Sequence, residues 1–513
     1  VLWIALHLPL LSLESFAATL PHEAGSQPLA LTDGLKILSA NAAARALGVK
    51  PGLKRATALA LASQLVLGQA SAARDEQALV AVAHAALAFT PIVVILEASG
   101  AVGALPPHTV LLDVQGSRRY FGGLKQLVQR LHAALAPLGH ALHTGIAPTA
   151  LGATVLARLH RQTYCADRAA LHAALDPLPV WLIGPGREHW EALEGMGLRT
   201  LAELRRLPRG GLARRFGPAV LSELDRAYGD CPDPLEPIIL PPSFESRLEL
   251  FARADTTEQV LYGAGVLLAR LVPWLSAQHA FVRRFTLVMQ HEPRWRRDAQ
   301  TPVATTLEVA LAEASRDPAH LLVLLRERLA QLELPAPTIE LRLHAEDIVR
   351  RPPPNDELFP TARSESEGLT RLIERLQARL GPGQVQRIAA VADHRPERAT
   401  QVQVQETTQH WRARAFAGSV APQNAATPVR PVWLLQQPEP LRERASGPLL
   451  DGQPLQLLSG PERIESGWWD AALIERDYYI AQLADGALVW VYRARLPAVT
   501  TLSQAWFLQG RFG

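Results

Sequence analysis

Cysteine is nearly absent: the 513 residues include only Cys165 and Cys231. Two thiols exclude a disulfide framework and a cysteine-based zinc site, and both read as small buried apolar residues of a reducing compartment. Lysine is scarce as well. Of the 52 basic residues only Lys36, Lys50, Lys54 and Lys125 are lysines, leaving 48 arginines. The excess fits either the codon bias of a GC-rich genome or a need for phosphate-binding guanidinium groups. The formal net charge is only +3, so only local clustering can mark a nucleic-acid surface. No uninterrupted apolar run approaches the roughly 18 residues of a membrane span. The stretch Val1-Leu2-Trp3-Ile4-Ala5-Leu6-His7 has neither a basic n-region nor a small-residue cleavage site. A cytoplasmic protein without membrane contact is expected. What is present is apolar content: 48% hydrophobic against 20% charged residues, enough for ordinary cores. At ~150 residues per domain, three to four domains are expected.

Apolar periodicity separates these units. Strands are expected at 3–8, 35–39, 92–97, 110–114 and 140–146, between helices at 41–47, 56–65, 75–89, 122–135 and 150–159. That pattern predicts an α/β or α+β layer domain over residues 1–165. Residues 166–235 are helical and arginine-rich. Within them, Leu193-Glu194-Gly195-Met196-Gly197-Leu198-Arg199-Thr200-Leu201 has two glycines that end one helix and a threonine placed to cap the next. This is the layout of a helix-hairpin-helix. Its glycine turn can aim backbone N–H groups at a phosphate, which makes Gly195, Gly197, Arg199 and Thr200 candidate DNA contacts; a plain helical hairpin is the alternative. Residues 243–345 read strand, helix, strand, strand, helix, strand, a four-stranded sheet with two helices on one face. Between the middle strands lie Arg283, Arg284, Arg294, Arg296 and Arg297, with Trp295 among them. Five arginines and an aromatic suit a DNA backbone, the alternative being a solvated hairpin tip.

Residues 346–365 hold Arg351-Pro352-Pro353-Pro354-Asn355-Asp356-Glu357-Leu358-Phe359-Pro360, too proline-rich for the interior of an element. Residues 366–429 read as a helix over 369–380 followed by a partly extended linker. Residues 430–513 contain five of the 11 tryptophans. There Asp477–Ile480 and Leu488–Tyr492, joined by Asp485-Gly486, read as a hairpin. A β-rich, partner-binding module is expected.

The order of parts resembles the Y-family (DinB/UmuC-like) translesion DNA polymerases over about residues 1–345: palm and fingers, a helical thumb with helix-hairpin-helix, and a βαββαβ little finger. Within that family it looks most like the ImuB group. The best match is Ala43-Ala44-Arg45-Ala46-Leu47-Gly48-Val49-Lys50-Pro51-Gly52-Leu53, similar to a fingers segment A-R-x-x-G-V-x-x-G-M. Leu111-Leu112-Asp113-Val114-Gln115-Gly116, Tyr120-Phe121-Gly122-Gly123, Gly145-Ile146-Ala147 and the thumb run support it. So do His394-Arg395-Pro396-Glu397-Arg398-Ala399, Arg476-Asp477-Tyr478-Tyr479 and Trp506-Phe507-Leu508-Gln509-Gly510, which look like ImuB tails.

The catalytic positions depart from the resemblance. Nucleotidyl transfer needs two divalent ions ~3.5–4 Å apart, held by carboxylates of adjacent strands. Matched to D-x-D-x-F-F/Y, counting back from Glu14, the first carboxylate position is Ala5. Matched to S-I-D-E-A-x-L-D, the second and third are His108 and Thr109, and only the structural Asp113 is kept. Glu97 is the one carboxylate that a shifted alignment could bring in. The fingers tyrosine falls on Ala42, whereas the arginine beside it is kept as Arg45 and a triphosphate-side lysine falls on Arg161. Arg45 and Arg161 are candidate phosphate ligands or plain surface arginines.

The resemblance implies a non-enzymatic protein without metal or cofactor. It would be a DNA-binding scaffold of damage-induced, error-prone translesion synthesis, part of the SOS response. Its implied partners are DNA, the β sliding clamp, an error-prone replicative-type DNA polymerase α subunit and a RecA-like ImuA protein. Family clamp motifs resemble Q-x-x-L-F or Q-L-x-L-F, which points to Asn355, Asp356, Glu357, Leu358 and Phe359; Gln331-Leu332-Glu333-Leu334-Pro335 is the competing segment. Two rivals remain: an active translesion polymerase using other ligands, and a protein-only hub that does not touch DNA.

Overall fold

The computed structural model describes residues 1–21, 27–96, 108–159, 162–293, 302–350, 362–404, 430–431, 433–444, 447–495 and 505–512. The chain divides into two compact units, residues 1–379 and 380–513.

In the first unit, residues 1–164 form β1 (Trp3–His7), α1 (Leu11–Ala17), β2 (Leu29–Thr32), β3 (Ile37–Ala40), α2 (Ala42–Ala46), α3 (Arg55–Leu61), β4 (Val66–Gln69), α4 (Ala72–Leu87), β5 (Val93–Ile95), β6 (Thr109–Asp113), α5 (Leu124–Leu135), β7 (His143–Ala147), α6 (Ala150–Leu159) and β8 (Gln162–Tyr164). Two sheets result, β5-β6-β1-β7-β8 and the smaller β3-β2-β4. β1 lies central, antiparallel to both β6 and β7. Its alternating side chains feed two cores: Ile4, Leu6 and Leu8 pack with α4 and α5, and Ala5 packs on the opposite face with α6. Sequence periodicity does not reveal β2 and β4. These four-residue strands are joined in parallel, and β4 contains Gly68, where a Cβ would lie 2.4 Å from the Phe16 ring.

The helical part comprises α7 (Arg168–Leu175), α8 (Gly184–Glu188), α9 (Trp190–Gly195), α10 (Leu201–Arg206), α11 (Arg209–Phe216) and α12 (Pro218–Tyr228). Next come β9 (Phe244–Ala254), α13 (Thr257–Ala277), β10 (Ala280–His291), β11 (Ala304–Ser315), α14 (Pro318–Leu329) and β12 (Thr338–Arg350), the expected βαββαβ order with sheet order β11-β10-β12-β9. α13 is long and apolar enough to cross a membrane, yet Leu267, Leu271, Trp274 and Leu275 are buried beneath this sheet. α15 (Ala362–Leu380) differs from the expectation of a helix grouped with a linker. Glu374 accepts hydrogen bonds from the Ala312 and Glu313 amides and lies 2.8 Å from His320 Nε2, Arg375 pairs with Glu327, and Ala378 joins the α13–α14 core. The face of α15 that packs carries Ile373, Glu374 and Ala378, whereas Leu372, Leu376 and Leu380 stay exposed.

The second unit adds β13 (Gln386–Ala390) and β14 (Thr400–Val404), a hairpin where linker was expected. β15 (Trp433–Arg444), β16 (Gly447–Leu450), β17 (Gln453–Pro454), β18 (Gln456–Ser466), β19 (Ile474–Gln482), β20 (Leu488–Ala494) and β21 (Trp506–Arg511) follow. These form a seven-stranded sheet, β17-β16-β15-β21-β20-β19-β18. The Asp485-Gly486 hairpin forms as read, with Gly486 at φ +90°. The mixed α/β and α+β architecture with a β-rich C-terminal module is the one expected.

Candidate functional site

The three positions that the resemblance gives to metal-binding carboxylates lie on and beside β1 and β6, and none of them carries a carboxylate. Ala5 is fully buried among Leu111, Ala147, Ala150 and Ala153, and its register partners are Leu111 and Gly145. Thr109 is fully buried opposite His7, with Oγ1 3.0 Å from His7 Nδ1. His108 turns toward α4, where Nε2 lies 3.7 Å from Asp75 Oδ2, and Asp75 also accepts from the Ser12 and Ser15 hydroxyls. The His7 ring stands 6.3 Å from that of His143. Burial, then the Arg158 charge and the neighbouring histidines, pull the His7 pKa down to about 4. At neutral pH the pocket therefore holds neutral imidazole and a guanidinium where carboxylates would have to converge. Two divalent cations do not fit this donor set: a methyl group offers no ligand, and the Thr109 hydroxyl is engaged with His7. Among the described residues no three His, Cys, Asp or Glu side chains converge as a metal site. Sequence reasoning missed Arg158. It donates from Nη1 to the Leu182 carbonyl at 3.1 Å, and its Nε is buried without a partner among the described residues. Arg161 and Glu97 lie outside the described residues.

In the fingers segment, the Asn41 side chain caps α2 by accepting from the Ala44 amide at 2.8 Å. Gly48 and Gly52 adopt φ +90° and +88°, which explains the two glycines of the motif. Arg45 is exposed.

The helix-hairpin-helix is present, but its amides are spoken for. Gly197, at φ +81°, ends α9, and Thr200 caps α10 in a reciprocal box with Glu203. The Glu203 carboxylate accepts from the Arg199 and Thr200 amides at 2.7 and 3.0 Å, which lowers its pKa. The remaining N–H groups from Met196 to Ala202 donate to carbonyls of Leu193, Glu194, Leu178 and Asp176. The expectation that this turn presents free backbone donors to a phosphate is therefore corrected: an internal carboxylate already fills that role. Gly195 and Gly197 serve the turn, Thr200 serves the cap, and the exposed Arg199 side chain is what faces solvent.

On the open face of the third domain, arginines meet acids. Glu340 accepts from both Arg247 and Arg342 at 2.7 and 2.6 Å, and Arg284 lies 3.4 Å from Glu308 and 3.7 Å from Asp347. Arg283 is exposed at a register shift in β10. Arg294, Arg296 and Arg297 lie outside the described residues, as do Asn355 to Phe359.

In the C-terminal unit the quoted tail motifs meet. Arg395, almost fully buried, makes paired hydrogen bonds to Asp393 and Asp470, and Arg398 also reaches Asp470. Arg476 binds Glu397 at 3.1 Å and lies over the Tyr492 ring. Trp490 and Trp506 belong to the cores, Trp490 stacking on Tyr478 at 4.2 Å. Trp433, Trp468 and Trp469 instead stay exposed, at 73%, 77% and 54%. The Arg395–Asp470 pair braces the turn that carries the latter two.

No family model matches the chain. The protein named ImuB from Caulobacter vibrioides (strain NA1000 / CB15N) is 29% identical over 493 residues, covering 91% of this chain and all of that protein. ImuB of strain ATCC 19089 of the same species matches to the same extent. The chain is similar to ImuB over nearly its whole length. The resemblance drawn from its motifs is borne out. Similar solved structures include a ternary complex of Dbh (TM-score 0.38), DinB from Sulfolobus solfataricus (0.37) and an insertion ternary complex of Dbh DNA polymerase (0.39). Each is 16% identical and covers 68% of this chain and 99–100% of its own.

Proposed function

We propose that this chain is a non-catalytic, polymerase-like DNA-binding scaffold of error-prone translesion synthesis. In this reading it bridges the β sliding clamp, an error-prone replicative-type polymerase α subunit and a RecA-like ImuA partner in the cytoplasm. The observation that carries the reading is the trio Ala5, His108 and Thr109: a buried methyl, an imidazole turned to Asp75 and an engaged hydroxyl at the three metal-ligand positions. The ImuB kinship supports the DNA-related role.

DNA contact in this reading falls on side chains rather than amides: Arg199 of the thumb and Arg283, Arg294, Arg296 and Arg297 of the third domain, with Arg45 and Arg161 as phosphate ligands. Each phosphate neutralised contributes about −0.9 to the slope of log K against log salt on duplex DNA. Replacing Arg283, Arg294, Arg296 and Arg297 together with Ala will flatten that slope. Arg284→Ala alone will change it less, because Glu308 and Asp347 already face that guanidinium. Fluorescence anisotropy across a salt series reads both. An unchanged slope in the quadruple variant removes this face from DNA binding.

Partner binding is assigned to the C-terminal unit, where exposed tryptophans on a braced turn offer rigid aromatic anchors. Deleting residues 381–513, which leaves α15 on the third domain, will abolish pull-down of the ImuA-like and polymerase partners and spare DNA binding. Retention of both partners refutes the assignment.

A further inference from the structure

Beyond this role, we propose that the cleft between α13 and the α1–α4 side of the first domain binds a small amphiphilic carboxylate, its charged end on Arg270 and its apolar body along Gly265 and Val266. The cleft encloses about 530 Å³ and is walled by Leu138, Tyr262, Val266 and Leu322 among others. Such a volume suits a small ligand with an apolar body.

Two independent features point to an anion with an apolar tail. The first is Arg270, which lines the cleft and is only 5% exposed. All its hydrogen bonds come from Nη1, at 3.2 Å to Gln77 Oε1, Ser246 Oγ and the Arg247 carbonyl. Every one of these acceptors is formally neutral. Nε and Nη2 make no hydrogen bond among the described residues, and neither is sealed from solvent. Burial alone lowers the pKa of Arg270, to about 10, with no carboxylate opposing it. The one carboxylate in the lining, Glu258, sits twelve residues earlier on α13, roughly 18 Å along the helix axis. A buried guanidinium with no counter-charge is costly, and a ligand carboxylate would supply the missing charge-assisted pair.

The second feature is Gly265, in the middle of a 21-residue helix. Glycine there is unfavourable by about 1 kcal/mol relative to alanine. Close packing does not require it, because a Cβ would meet nothing nearer than Leu322 Cδ1 at 3.9 Å. The missing side chain leaves open the floor of the cleft, one turn before Arg270.

Isothermal titration calorimetry on the full chain tests the site with octanoate, octanol, acetate and inorganic phosphate as probes. Octanoate is expected to bind once per chain, at least tenfold tighter than the other three. Arg270→Gln should weaken octanoate at least tenfold and leave octanol unchanged. Gly265→Leu, which keeps Arg270 and favours the helix, should abolish binding by filling the floor, and it carries the test if Arg270→Gln fails to fold. Octanol or phosphate binding as tightly as octanoate, octanoate binding unaffected by either folded variant, or no heat at millimolar octanoate would overturn the proposal.

Discussion

Supplied with a primed template, the four deoxynucleoside triphosphates and Mg²⁺ or Mn²⁺, the purified protein will extend no primer above the level seen without protein. The reaction needs one cation to activate the 3′-hydroxyl and a second to hold the triphosphate. Both require anionic oxygen ligands on neighbouring strands. Here β1 brings Ala5, which is fully buried, and β6 brings Thr109, which faces His7. The carboxylate that His108 faces is Asp75, which lies on α4 bonded to two serine hydroxyls. Arg158 adds positive charge near His7, the wrong sign for holding cations. Abasic and undamaged templates should behave alike, because the defect precedes any lesion recognition. Template-dependent extension that co-purifies with the protein through successive columns would restore the active-polymerase rival. Ala5→Asp is not expected to rescue activity. It would place a carboxylate among Leu111, Ala147 and Ala153, where an unpaired charge costs several kcal/mol, so a lowered melting temperature is the outcome a thermal scan should record.

Replacing Leu358 and Phe359 with Ala will weaken binding to the β sliding clamp at least tenfold. Each side chain filling an apolar pocket contributes ~1.5–3 kcal/mol, and 1.4 kcal/mol is one factor of ten. An extended peptide must be free of other structure; proline disfavours helix interiors and central strands, and the sequence sets Pro352–Pro354 and Pro360 on either side of 355–359. Asn355 retains the amide of the usual Gln on a side chain one methylene shorter. The competing segment at 331–335 is engaged in the fold. Leu332 and Leu334 pack against the α13–α14 core, and the Gln331 amide donates to the Arg379 carbonyl. Surface plasmon resonance on immobilised clamp decides between them, with unchanged affinity in the double variant ruling out 355–359 as the contact.

The sequence by itself determined many of the elements and their order, though not β2, β4 or the β13–β14 hairpin. Apolar spacing placed β1, α4, α6 and the whole β9–β12 pattern, because each buries one face and that face repeats at the period of its backbone. It also put Ala5, His108 and Thr109, none of them a carboxylate, at the positions that the resemblance gives to metal ligands. Tertiary structure alone decided which polar groups remain free. Glu203 consumes the hairpin amides that a glycine-rich turn seemed to offer, and Glu340 pairs the guanidinium groups of Arg247 and Arg342. Arg395 finds Asp470 from 75 residues away, and Arg270 lies buried with no acid beside it. Charge and hydrogen-bonding capacity are counted in the sequence. Whether they are spent depends on strand register and on which helix packs where, and these bring together residues that no local period relates.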